Sequence, residues 1–218
     1  MFFDPLYLLF VLPGLGLSLW ASARVKSSFK KYSKVRTARG LTGAEAAQVL
    51  LRGAGISDVK IVRSHGVLSD HYNPVSRTLA LSEAVYGSDS VAAVGVATHE
   101  AGHAIQHARH YAPLWVRSAL VPTANIGSSI GYFVMMIGVF MASTNMVLVG
   151  AVLFSTVLLF QVVTLPVEFD ASNRAKTLVV EHGIVTAQER QGVDAVLNAA
   201  ALTYVAASLA SLLNLWRW

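Results

Sequence analysis

The stretch Thr98-His99-Glu100-Ala101-Gly102-His103 holds two imidazoles four residues apart with a carboxylate between them. On a helix, positions four apart share one face about 6 Å from each other, so His99 and His103 can both turn a ring nitrogen toward one cation. Glu100 falls on the adjacent face, within reach of a water held by that cation. Two ligands and a base at this spacing suit metal-assisted hydrolysis. His107 continues the stripe, but roughly 12 Å of helix separates it from His99, so the two cannot serve one ion. With His110 it reads as a solvated or surface-pairing residue. The chain has no cysteine, which removes thiolate ligands and disulfides and leaves imidazole and carboxylate, a donor set suited to zinc.

A third ligand must come from elsewhere. The segment "LPVEFDASNRA" (165–175) offers Glu168, just after a Pro166 suited to the first turn of a helix. Asp170 is the rival, two positions on and facing roughly the opposite side, and Glu181 and His182 beside Gly183 are further alternatives.

The elements that must position these groups lie in a chain of 218 residues that is 54% hydrophobic and only 13% charged, where soluble domains are about a quarter charged. The lipid bilayer is therefore an expected partner. A net charge of +5 does not form a broad basic face, which argues against nucleic acid. The positive residues instead gather in "RVKSSFKKYSKVR" (24–36), directly after the uncharged run Leu6 to Ala23. A cleaved signal peptide carries its positive charges before the apolar run, so 1–23 reads as a retained anchor, kinked at Pro13-Gly14, with its basic flank in the cytoplasm.

Between Arg117 and Glu168 there is no Asp, Glu, Lys or Arg, a stretch far longer than the roughly 20 residues of one crossing. Two spans, near 119–142 and 146–165, fit around a turn at Ser143-Thr144-Asn145. Gly127, Gly131, Gly138 and Gly150 give these spans small surfaces for close contact. Two crossings return Glu168 to the side of His103. The last uncharged run, Ala195 to Trp216, reads equally as a span or as a buried or interfacial helix.

The polar segment 24–117 reads as a small α+β unit. Thr42-Gly43-Ala44-Glu45 is a capping-box pattern opening a short helix that ends at Gly53 and Gly55. "VKIVR" (59–63) and "TLALS" (78–82) have strand character, separated by the turn-rich "SHGVLSDHYNP". Ser88 or Asp89 is expected to cap a long helix from about Val91 through His110.

The N-terminal anchor, "DHYNP", "LALSEAVY", "HEAGHAIQH", "LPVEFDAS" and "LNAAALTYVAAS" together resemble the bacterial YugP-like membrane proteins, the neutral zinc metallopeptidases, which are more distantly similar to HtpX-type membrane peptidases. The resemblance covers nearly the whole chain. It implies an α+β, mostly α fold with a gluzincin-like zincin core and integral membrane helices. It further implies one zinc per chain held by His99, His103 and Glu168, with Glu100 as general base in peptide-bond hydrolysis. HtpX-type enzymes carry an acidic residue four positions after the ligand Glu; here that position is Ser172, leaving Asp170 or Asn173 to orient a ligand histidine.

In zincins an edge strand before the motif helix pairs with extended polypeptide substrate, a role for Leu79, Ala80 and Leu81. His71, Tyr72 and Tyr204 are alternative oxyanion donors. The expected organisation is an anchor (1–23), a zincin subdomain (24–117), a transmembrane hairpin (118–165) and a helical part carrying the third ligand and a C-terminal apolar helix (166–218). The expected setting is the inner membrane, multi-pass, with the catalytic face cytoplasmic. A homo-oligomer or a membrane partner protein is left open. The competing reading is a structural or adaptor membrane protein whose zinc only stabilises the fold; Glu100 argues against it, because a ligand set alone has no need of that carboxylate.

Overall fold

The computed structural model describes residues 5–66 and 68–216, so "MFFD", the start of the expected anchor, lies beyond the described residues. In chain order the elements are α1 (Pro5–Tyr32), α2 (Gly43–Gly53), β1 (Lys60–Ser64), β2 (His71–Asn73), β3 (Thr78–Ser82), α3 (Glu83–Tyr86), α4 (Val91–Ala108), α5 (Ala112–Ile126), a π-helical turn (Gly127–Gly131), α6 (Tyr132–Phe140), α7 (Thr144–Glu181) and α8 (Ala187–Trp216). The architecture is mostly helical α+β with one small sheet. The chain forms two compact units, one from the described residues of Met1–Ser22, Ala112–Pro166 and Leu202–Trp218, the other from Ala23–Tyr111 and Val167–Ala201.

The first unit is built of apolar helices. Among the described residues, three helical stretches are long and apolar enough to cross a membrane: Ala112–Phe140, Thr144–Glu181 and Ala187–Leu215. Their surfaces carry Phe133, Phe140, Leu148 and Val152 well exposed, as lipid-facing helices do. Met141 to Ser143 form the tight turn, with Ala142 at φ 50°. Glycine lets the two arms touch: a Cβ on Gly131 would lie 2.8 Å from Phe154 N, and one on Gly138 would lie 2.7 Å from Val147 N. No side chain fits in those gaps, so the expected small-residue contact is present. Pro166, expected at a helix start, instead lies inside α7, whose 38 residues run on well past the roughly 20 a bilayer needs.

In the second unit the sheet order is β1-β3-β2. β1 runs parallel to β3 with Ile61 opposite Leu79, and β2 runs antiparallel to it with Tyr72 opposite Leu79. Two corrections to the sequence reading follow. His71–Asn73 form a strand in a segment expected to be all turn, because the bend at 74–77 folds these residues back onto β3. β3 is the middle strand, so the backbone of Leu79 and Ala80 is already paired on both sides, and the expectation that Leu79, Ala80 and Leu81 offer a free edge does not hold.

Leu79 and Leu81 of β3 join a core that includes Leu50, Leu51, Val94, Ala97, Ala101, Ile105, Val179 and Leu197. The capping box at Thr42 and Glu45 is present at the start of α2. The cap of α4 is Ser90, whose hydroxyl accepts from Ala93 N at 3.2 Å, rather than Ser88 or Asp89. Asp89 is diverted because Arg36 Nε donates to its Oδ2 at 2.7 Å, and Ser88 Oγ donates to Ser90 Oγ at 3.0 Å.

Candidate metal centre

α4 carries the paired histidines on one face, and the part of α7 after Pro166 runs against that face. The approach is close because residue 102 is glycine: a Cβ there would lie 2.6 Å from the backbone oxygen of Ala171. A larger residue at the middle of the motif would push α7 away. Gly102 therefore positions Glu168 as directly as any polar group does.

The result is a cluster of His99, His103 and Glu168 in which one donor atom from each residue lies within 4.8 Å of the others. His99 Nε2 is 3.2 Å from Glu168 Oε2, and His103 Nε2 is 3.6 Å from the same oxygen. The two rings stand edge to face at a centroid distance of 4.8 Å. Glu168 and His103 are buried, as is Glu100 in the turn between the histidines. Burial disfavours charge on His103, but hydrogen bonding and attraction from Glu168, with added attraction from Glu100 and a hydrogen bond to Gln106, hold its affinity for a proton above the ordinary imidazole value. The surroundings thus favour positive charge despite the loss of water. Two imidazole nitrogens and a carboxylate oxygen converging in such a place make a donor set that fits zinc.

The remaining site residues divide sharply. Ser172 Oγ lies 3.1 Å from His99 Nδ1, so a hydroxyl meets this ring nitrogen from the position four after Glu168. Asp170, the rival ligand, is outside the cluster; its Oδ2 accepts from Gln106 Nε2 at 2.8 Å and from Arg174 Nε at 2.5 Å. Gln106 in turn presents Oε1 to His103 Nδ1 at 3.0 Å. Sequence reasoning missed Gln106. Its one signal was its place a turn beyond His103, on the face of α4 that carries both histidines.

His107 faces the edge strand, with Tyr72 Oη 2.8 Å from its Nδ1. Burial, helped by Arg77 and His110, holds the His107 pKa below its usual value, and burial raises that of Tyr72, so both stay neutral near pH 7. A cavity of about 240 Å³ opens here between Tyr72, Arg77, His107 and His110. His71 Nδ1 meets Ser69 O at 2.8 Å on the exposed side of β2. Tyr204 belongs to α8 in the apolar unit.

A buried two-histidine, one-carboxylate cluster in a chain with membrane-length helices points to a membrane metalloprotein. Residues 7–218 match the family described as "Putative neutral zinc metallopeptidase", and the chain belongs to that family. It is similar to a Bacillus subtilis (strain 168) protein named "Putative membrane protease YugP", with 45% identity over 213 residues that cover 98% of this chain and 95% of the relative. No solved structure matches.

Proposed function

We propose that this chain is a membrane-bound zinc-dependent endopeptidase, with His99, His103 and Glu168 holding one zinc per chain and Glu100 acting as general base. The convergence of the three donor atoms beside Glu100 carries the reading. Bound there, zinc would supply Lewis acidity, polarising a peptide carbonyl and making water more acidic. Glu100 takes a proton from the attacking water and passes it to the leaving nitrogen, which needs a carboxylate that ligates nothing. Family membership and the name of the Bacillus relative support hydrolysis over a purely structural zinc.

The core would be gluzincin-like, and extended polypeptide would pair with β2, the edge strand that touches α4 through Tyr72 and His107. His71 and Tyr72 on that strand are the nearest reading of an oxyanion donor, in place of Tyr204. The chain would divide into an anchor (1–23), a zincin subdomain (24–117), a hairpin (118–165) and a helical part (166–218). It would lie in the inner membrane with its catalytic face cytoplasmic, because the basic residues from Arg24 to Arg36 flank the first apolar run.

The test is a protease assay on metal-loaded wild type and Glu100→Gln, with zinc content measured on both. Zinc retained and turnover lost supports the reading. Equal turnover in the two, with contaminants excluded, removes Glu100 from the mechanism. A reporter fused after Gly87 should behave as cytoplasmic, and an external result would overturn the sidedness while leaving the metal cluster intact.

A further inference from the structure

Gln106 is fully buried, one turn past His103, and its amide is used at every corner. Nε2 lies 2.8 Å from Val167 O and 2.8 Å from Asp170 Oδ2. Both partners only accept. Val167 O is a backbone carbonyl, and Asp170 Oδ2 also takes the Nε–H of Arg174 at 2.5 Å, so it too serves as an acceptor. The two amide hydrogens are thereby committed, and the amide cannot turn over without setting its oxygen against two other oxygens. Only Oε1 remains for His103, at 3.0 Å from Nδ1. A carbonyl oxygen requires a donor, so His103 must carry a proton on Nδ1, which leaves Nε2 as the nitrogen whose lone pair can face a cation beside Glu168.

We infer that Gln106 is a positioning residue: held by Val167 and Asp170, it selects the His103 tautomer that ligates through Nε2. The inference rests on the zinc reading above. His99 has no equivalent device, since the Ser172 hydroxyl at its Nδ1 can donate or accept and so selects neither tautomer. The two ligand histidines therefore differ in kind. His103 is pre-set from behind by a one-way amide, whereas His99 is free to adjust.

The experiment uses the full chain in detergent, stripped of metal, with zinc affinity measured by competition against a chelator. His103→Ala, Gln106→Leu, Asp170→Ala and Ser172→Ala are compared with wild type. Gln106→Leu should weaken zinc roughly 10- to 100-fold, the range for removing a partner behind a ligand histidine. Asp170→Ala should weaken it less, because Val167 O still orients the amide. In zinc-loaded protein labelled with 15N-histidine, His103 should show its proton on Nδ1 and the metal on Nε2. A role limited to stability would lower the melting temperature of Gln106→Leu and leave its zinc affinity at the wild-type level.

Zinc affinity unchanged in Gln106→Leu, with affinity lost in His103→Ala, overturns this inference alone. Unchanged affinity in His103→Ala overturns the metal reading itself. Should Gln106→Leu fail to fold, the wild-type spectrum decides: a proton on Nε2 with metal on Nδ1 is incompatible with the amide orientation argued here.

Discussion

The two units of the chain solve burial in opposite ways. In the unit that holds the candidate metal cluster, buried and half-buried polar groups bond to one another across the fold: Gln106 to Asp170 and to the Val167 carbonyl, Ser172 to His99, and Glu168 to both histidines. In the apolar unit most buried or half-buried hydroxyls turn back on their own helix. Ser118 donates to Leu114 O, Ser208 to Tyr204 O and Thr164 to Phe160 O. There the helices meet through glycine without such a network across them. A network of directional bonds has one satisfied geometry, whereas a glycine seam asks only for closeness. The difference separates what must be exact for chemistry from what must merely pack.

The largest expected effect lies in the directional half. Glu100→Gln should reduce turnover by about 10²- to 10⁴-fold, the usual range for a general acid–base group, while zinc content stays at the wild-type level. Glu168→Ala should instead lose metal, and Asp170→Ala should lose less. Metal content measured on both variants sharpens the contrast, and the reverse order would mean that the wrong carboxylate has been assigned to the cluster.

Next come substitutions at the glycines, which set the two halves against each other. Gly102→Val places atoms against Ala171 O and should cost about 1–3 kcal/mol as overpacking, together with zinc binding, because α7 is displaced from α4. Gly131→Val meets Phe154 N with similar crowding and should destabilise the chain by a similar amount without a direct effect on zinc affinity in the molecules that remain folded. Melting curves and zinc competition on the same samples separate the two. Zinc affinity falling equally in both variants would mean that the units do not divide the work as described.

Much of this was legible in the sequence because it depends on short-range spacing. The pair His99 and His103, the cap at Thr42, the strands near 60–64 and 78–82 and the uncharged stretch between Arg117 and Glu168 each follow from periodicity or composition within one element. What was not legible depends on long-range pairing. β3 was expected at an edge because no local signal revealed that His71–Asn73 would fold back onto it. Asp89 was a plausible cap until Arg36, far away in sequence, took its carboxylate. Gln106 gave no charge and no motif, and its role is visible only once Val167, Asp170 and Arg174 arrive from a distant segment.

The smallest expected effect is at Thr42, in the unit of the candidate metal cluster but away from that cluster. Its Oγ1 accepts from Glu45 N at 3.3 Å, while Glu45 Oε2 accepts from Thr42 N at 2.9 Å and from the hydroxyl at 2.8 Å. These bonds satisfy donors that the first turn of α2 would otherwise leave without helical partners. Thr42→Ala should cost about 1 kcal/mol of stability, read as a lower melting temperature, with zinc affinity unchanged because α2 supplies no ligand.

The effect should also depend on pH. The bonds from the Thr42 backbone and hydroxyl hold the Glu45 pKa below its usual value. A carboxyl with a lowered folded pKa stabilises at pH above its unfolded value, and that contribution disappears as pH falls through the folded one. The hydroxyl's share is present only in wild type, so the gap between wild type and Thr42→Ala should narrow as the medium is acidified through the range where Glu45 takes up its proton. A gap that widens there would mean that the hydroxyl bonds preferentially to the protonated carboxyl, and the reciprocal cap would then contribute nothing through charge.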